Sequence, residues 1–310
     1  MSTYITIDGG TTSTRISLVK DNVVCDRVRL DIGARASITE RDKYVSSIKN
    51  VIDDIINRNN ANDVARILAS GMITCEFGLC NLPHIVAPAG IGELHETMYE
   101  TTIKEISDIP FVFVRGVKIE SENLSECDMM RGEETELFGI LNEKYGDCVY
   151  VLPGSHSKII RTDANNRIVS FSTMLTGEMM AALSQGTILK DAVDITTNSL
   201  NEKYLLMGYD LAQTEGINKA LFKIRILKNC FGCTKEELYS FFMGVVLCDE
   251  ISNIISDDAK TVVIGGRAQI KEATTSILKE KSDKKVIELD ETTVNNSTCV
   301  GAVRIFEYNS

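Results

Sequence analysis

The segment Asp8-Gly9-Gly10-Thr11-Thr12 contains the residue types that a phosphate group needs. Glycines admit positive φ and let backbone N–H groups approach an anion with no Cβ in the way. Thr11 and Thr12 add hydroxyl donors, and Asp8 offers a hard oxygen to Mg²⁺ through water. The same residues would also make a tight hairpin with no ligand, because glycine is common in turns. Pro153-Gly154-Ser155-His156-Ser157-Lys158 repeats the pattern: laying Gly154 on Gly10 puts Ser155 on Thr11 and Ser157 on Ser13. A third apolar run, Val262-Val263-Ile264, ends in Gly265-Gly266. No G-x-x-x-x-G-K-[ST] is present, which excludes a P-loop, and Gly90-Ile91-Gly92 lacks the third glycine of a dinucleotide-binding turn.

Two further spacings suggest chemistry and then lose support. Cys230-Phe231-Gly232-Cys233 has the spacing of a redox pair or of half a zinc site. No second C-x-x-C follows, and His84, His95 and His156 stand far off in sequence, so two ordinary thiols are the simpler reading. Leu94-His95-Glu96 begins like a zinc-protease helix, but Tyr99 takes the place of the second histidine.

The elements that position the glycine turns can be read from apolar spacing. Strands are expected at residues 4–7, 14–19 and 23–30 around the first turn, at 148–152 before the second and at 261–264 before the third. Further strands are expected at 65–70, 111–114 and 285–289, with a loop marked by Pro83, Pro88 and Gly90. Helical spacing predicts helices over 42–58, 94–106, 130–142, 178–184, 209–227, 235–256, 269–279 and 297–306. The second half thus repeats the strand, glycine turn, strand order of the first, and no Pro-, Gly- or Ser-rich linker parts them.

Composition narrows the partners. The 310 residues suit one large or two medium domains, and 44% hydrophobic with 25% charged residues is the balance of a packed globular chain. A net charge of −11 with no basic stripe excludes duplex nucleic acid as a partner. An anionic small ligand is compatible with that charge only where backbone amides, a metal ion and a few cations hold it locally. Met1-Ser2-Thr3-Tyr4-Ile5 shows no basic stretch leading into an apolar one, the run at 239–248 is too short to span a bilayer, and the cysteine count is odd at nine. A cytoplasmic protein with reduced thiols and no membrane partner is expected.

Two phosphate-type turns followed by a strand-end glycine pair resemble the ordered pattern of the sugar-kinase, hexokinase, heat-shock-protein-70 and actin superfamily. Residues 8–15 look like its first phosphate loop, 131–141 its first connecting helix, and 152–158 its second phosphate loop. Residues 262–267 look like the adenosine loop, and 297–306, with Gly301-Ala302, the second connecting helix. More narrowly, nearly the whole chain resembles the 2-dehydro-3-deoxygalactonokinase family. The residues that carry this are Ser70-Gly71-Met72-Ile73, Pro88-Ala89-Gly90, Met130-Arg131-Gly132-Glu133-Glu134-Thr135, Leu152-Pro153-Gly154-Ser155-His156-Ser157-Lys158 and Phe171-Ser172-Thr173-Met174-Leu175-Thr176-Gly177-Glu178. In the first loop Gly9 replaces a typical Trp, and Ser13-Thr14 replaces an Asn and an apolar residue.

The resemblance implies an α/β fold of two actin-like (ribonuclease H-like) domains with an ATP cleft between them. The first would comprise residues 1–146 plus 297–310 and the second 147–296. It implies an ATP- and Mg²⁺-dependent kinase acting on the 6-hydroxyl of 2-dehydro-3-deoxy-D-galactonate, a small-molecule sugar acid of galactonate catabolism, with a homodimer left open. Gly10, Thr11 and Thr12, then Gly154 and Ser155, would hold the phosphates, Asp8 the Mg²⁺, and Gly265 and Gly266 the adenosine. Relatives place a carboxylate at the start of the first connecting helix, which here points to Glu133, then Asp128, then Glu134. Alternatively, Glu133 and Glu134 simply put negative charge in a first helical turn, where the helix dipole favours it. Arg15, Arg131 and Lys158 are candidates for the substrate carboxylate, and Gly71, Met72, Thr176 and Glu178 for other substrate contacts. His156 would contact phosphate or cap its turn. Two other readings stand beside this one: the same fold acting on another sugar or keto-deoxy acid, and a non-catalytic ATP-binding sensor.

Overall fold

Both faces of the first strand, β1 (Thr3–Gly9), are buried, so it must be covered on two sides. The computed structural model, which describes residues 2–266 and 268–309, shows that cover. Strands β2 (Thr14–Lys20) and β3 (Val23–Leu30) extend β1 antiparallel, while β4 (Arg66–Gly71) and β7 (Phe111–Phe113) extend it parallel. Edge strand β6 (Tyr99–Thr101) completes a six-stranded sheet of order β3-β2-β1-β4-β7-β6. On one face, Ile5 and Ile7 pack against helix α1 (Ser37–Arg58) through Tyr44, Ile48, Ile52 and Ile55, which recur at helical spacing. On the other face, Tyr4 and Leu68 meet Cys299, Ala302 and Val303 of α10 (Glu291–Phe306), and the Thr6 hydroxyl donates to Cys299 Sγ at 3.2 Å.

A three-stranded sheet, order β5-β8-β9, is formed by β5 (Ile85–Val86), β8 (Val117–Ile119) and β9 (Asp128–Met130). Helix α2 (Ile91–Glu96) follows β5, and helix α3 (Glu133–Ile140) follows β9. Helices α3 and α10 touch backbone to backbone: a Cβ on Gly301 would lie 1.8 Å from the Thr135 carbonyl oxygen.

The second sheet, order β12-β11-β10-β13-β14, repeats the first. Fully buried β10 (Cys148–Leu152) stands where β1 does, with antiparallel β11 (Ser157–Thr162), then β12 (Ile168–Met174), on one side. Parallel β13 (Thr261–Ile264) and β14 (Lys285–Glu288) lie on the other. Val149 and Val151 join a core built with α5 (Glu202–Glu215), α6 (Ile217–Phe231), α7 (Lys235–Val246), α8 (Cys248–Ser256) and α9 (Ala268–Lys281). Helix α4 (Thr176–Gly186) follows β12.

The chain divides into two compact units, one of Met1–Asn142, Thr162–Ser170 and Glu291–Ser310, the other of Glu143–Arg161 and Phe171–Asp290. The division departs from the expected 146/147 and 296/297 boundaries. Helix α10 starts at Glu291, ahead of residue 297, and Ile168 exchanges two backbone hydrogen bonds with Ala89 (3.0 and 2.8 Å), grouping 162–170 with the first unit.

Several expected helices are also corrected. The 94–106 helix is the short α2 followed by β6, because 99–101 satisfies its backbone on β7. The 130–142 helix begins only at Glu133, since 128–130 pairs with β8. The 209–227 and 235–256 helices are each two, broken at Gly216 (φ +83) and at Leu247. Helices α7 and α8 meet at a 47° bend, and among the described residues no single helix is long and apolar enough to cross a membrane.

Candidate active site

The first glycine turn joins β1 to β2, with Gly9 paired to Thr14. Gly10 donates its N–H to Ser13 O at 2.9 Å, so that amide serves the turn, and Thr11 and Thr12 form its tip. The segment between β3 and α1 wraps the turn, Ala34 N–H donating to Gly10 O (3.0 Å) and Arg35 N–H to Thr11 O (3.1 Å). The parallel register sets Gly9 beside Gly71, so the turn and Met72 lie together at the carboxyl ends of β1 and β4. Open α/β sheets bind ligands at that edge. Gly132 starts α3 against it with φ +113, and a Cβ there would stand 3.1 Å from Gly71 Cα.

Acidic side chains gather at this edge. Arg15 Nη1 binds Asp8 Oδ2 at 2.7 Å across the hairpin. Burial raises the Asp8 pKa, Glu133 adds to the rise, and Arg15 opposes it. Burial first, then the charges of Asp8 and Glu133, push Glu136 up to about 8. Glu134 is fully buried and likewise pushed up to about 8, by burial and then by Glu133. Both Glu134 carboxyl oxygens accept the Gly132 N–H, at 2.9 and 2.8 Å, which ties that side chain to the start of its own helix. Glu133 Oε2 accepts the Arg131 N–H at 3.1 Å. Glu133 is therefore the shared neighbour whose charge acts on Asp8, Glu134 and Glu136. Asp128 lies on β9, accepts its neighbour Met129 N–H at 2.6 Å, and is not among those perturbing charges.

Glu136 was missed by the sequence reading, although it shares a helix face with Glu133 three positions earlier. Among the described residues no group of three side chains is arranged to hold a metal. That fits Mg²⁺ all the same, which keeps several waters and needs only one or two carboxylates beside phosphate oxygens. Burial chiefly raises the pKa of Asp8 and Glu136, and a cation at this edge would favour their charged forms.

The cations expected for a substrate carboxylate turn out to have partners already. Arg131 Nη1 donates to Thr74 O and Thr74 Oγ1 at 2.8 and 2.6 Å, and Nη2 to Leu82 O and His84 Nδ1 at 3.1 and 3.2 Å. Burial, then Arg131 and Lys118, push His84 down to about 4, so its neutral ring accepts from Arg131. Lys158 is 3% exposed, and its ammonium donates to His156 O at 3.2 Å.

In the second unit the Pro153–His156 turn is braced from behind. Gly154 N–H approaches Ser157 Oγ at 3.4 Å, and Glu178 N–H donates to Ser155 O at 3.3 Å. A Cβ on Gly177 would lie 2.5 Å from Gly154 O and 2.7 Å from Ser155 Cα, so only glycine lets α4 begin this close to the turn. His156 Nε2 and Glu178 Oε1 lie 3.0 Å apart at the surface. Thr176 is buried, and its hydroxyl donates to buried Glu250, a residue the sequence reading passed over. Its signal was a carboxylate on the otherwise apolar buried face of its helix, beside Cys248, Ile251 and Ile254.

Gly265 N–H donates to Val151 O at 2.9 Å, and Gly266 rests against Pro153, so the third glycine segment adjoins the second turn. Arg267, the last residue of the expected adenosine loop, lies outside the described residues. The C-x-x-C falls at the end of α6, where Gly232 caps the helix, Cys230 is exposed and Cys233 Sγ donates to the Tyr204 hydroxyl at 3.5 Å.

Two sheets of the same order, each with a glycine turn on its first hairpin, define an actin-like ATPase or sugar-kinase fold. The family model for 2-keto-3-deoxy-galactonokinase matches residues 8–299, and the chain belongs to that family. It is 27% identical over 195 residues to the probable 2-dehydro-3-deoxygalactonokinase DgoK1 of Rhizobium meliloti (strain 1021). That match covers 61% of this chain and 59% of the relative, so it spans well under two thirds of that protein's length. A Sinorhizobium meliloti crystal structure, provisionally assigned as a 2-dehydro-3-deoxygalactonokinase, superposes with TM-score 0.80 and 21% identity over 99% of this chain and 100% of that one. The (R)-2-hydroxyglutaryl-CoA dehydratase component A of Acidaminococcus fermentans has the same fold at TM-score 0.54 and 13% identity, covering 97% and 96%.

Proposed function

We propose that the chain is an ATP-dependent kinase that phosphorylates the 6-hydroxyl of 2-dehydro-3-deoxy-D-galactonate. The observation that carries this reading is family membership over residues 8–299. The carboxylates Asp8, Glu133 and Glu136 at the strand-end turn support it chemically. Phosphoryl transfer depends mainly on positioning and charge neutralisation. The substrate hydroxyl oxygen attacks the γ-phosphorus, the bond to the β–γ bridging oxygen breaks, and ADP leaves. Glu133 takes the hydroxyl proton. Glu134 is unsuited to that role because both its oxygens hold Gly132 N–H. The Thr11–Thr12 tip and Gly154–Ser155 would hold the phosphates, Gly265 and Gly266 the adenosine, and Asp8 the Mg²⁺. When bound, the ion offsets the negative charge of the phosphates. On this reading the chain acts on a small molecule, in the cytoplasm.

The test is a coupled ADP assay with the galactonate-derived acid, its gluconate epimer and neutral hexoses. ADP release stimulated most by the galactonate-derived acid is expected. Faster release with the epimer or a hexose would reassign the acceptor, and none with any acceptor would refute kinase activity.

A further inference from the structure

Beside the Thr11–Thr12 tip lies a cavity of about 630 Å³, formed wholly by the first unit and walled by the segment from Asp31 to Lys43. Its volume is in the range of small-molecule sites. Four charged side chains line it, and three are balanced locally. Asp31 pairs with Arg29 at 3.5 Å, and Glu40 with Lys43 at 2.7 Å. The fourth, Arg35, has neither a hydrogen bond nor an ion pair on its guanidinium among the described residues, so the cavity carries one uncompensated positive fork. Its backbone N–H meanwhile holds Thr11 O at 3.1 Å, so the residue that carries the fork also fixes the turn.

We propose that this cavity is the sugar-acid site and that Arg35 binds the substrate's carboxylate. A planar guanidinium accepts a carboxylate bidentately, with specificity that a lone ammonium lacks. The acid stands at one end of the six-carbon substrate and the reacting hydroxyl at the other, an arrangement that suits a cavity with Arg35 on its wall and the Thr11–Thr12 tip on its rim. Arg15, Arg131 and Lys158, the earlier candidates, already hold Asp8, the Thr74–Leu82–His84 group and His156 O. The assignment rests on the sugar-acid reading above and names the side chain that recognises the acid.

The experiment is isothermal titration of the full chain with 2-dehydro-3-deoxygalactonate, with its C1 carboxamide and, separately, with Mg-ATP. Wild type is compared with Arg35→Met and Arg35→Lys. Because Arg35 is exposed, both variants should keep the wild-type circular dichroism. The expected result is at least about fivefold weaker binding of the acid by Arg35→Met, a smaller loss for Arg35→Lys, and no change for the carboxamide or Mg-ATP. A smaller loss of the acid, an equal loss of the carboxamide, or a loss confined to Mg-ATP overturns the assignment. Wild type that fails to bind the acid overturns it as well. Absence of turnover in a wild type that does bind the acid through Arg35 would refute the kinase reading alone.

Discussion

The Thr176 hydroxyl donates to the carboxylate of Glu250, a buried residue 74 positions further along the chain. The nearby Ser157 hydroxyl also favours the charged form of this carboxylate, but burial outweighs both hydroxyls and raises its pKa. One acid thereby ties the start of α4, which packs on the second glycine turn, to α8. Thr176→Val removes a donor and leaves a buried carboxylate oxygen unpaired, at an expected cost of about 1–3 kcal/mol. Urea denaturation measures it. Glu250→Gln, which keeps the shape and an acceptor, should cost less than Thr176→Val; equal losses would show that the carboxylate does not anchor the turn.

Glu134 gives the stability a pH dependence of defined sign. Its folded pKa is raised to about 8 from an ordinary 4.5, so between those values the folded chain binds more protons than the unfolded chain. This contribution is fully present below pH 4.5 and is lost as pH rises towards 8. Glu134→Gln removes it. The variant's Tm relative to wild type should therefore climb between pH 5 and 8; a constant difference would mean that Glu134 is ionised throughout.

Glu133→Gln separates chemistry from binding. Loss of a general base typically lowers kcat by about 10²–10⁴-fold. Mg-ATP affinity, measured by titration, should stay near that of wild type. A variant with full turnover would move the role to Glu136, which shares its helix face.

Gly177→Ala tests the contact between α4 and the turn. The added Cβ meets backbone at 2.5 and 2.7 Å, which no rotamer relieves. A destabilisation of about 1–3 kcal/mol is expected, with a raised KM for ATP under the kinase reading. Unchanged KM at lowered stability would separate packing from nucleotide binding.

The strands around both glycine turns and those at 65–70, 111–114 and 261–264 were legible because apolar runs and glycine placement are local signals. Strand 99–101 was not, because its residues look helical until β7 offers its edge. The break at Leu247 was likewise hidden, since an unbroken apolar spacing runs across it, whereas that at Gly216 carried a signal in the glycine and in the polar run before it.

Within the site, sequence alone determined which chemical groups are present: two glycine turns, a glycine pair after β13, and carboxylates opening α3. Only the tertiary structure decided which of them have free valence. Arg131 and Lys158 look like ligand cations in the sequence, yet folding gives both of them partners within the protein. Arg35 looks like a surface residue, yet it alone among the described charges lining its cavity is left unbalanced. The reason is physical: residue type sets what a side chain can donate or accept, but the partners that satisfy or strand it come from segments distant in the chain.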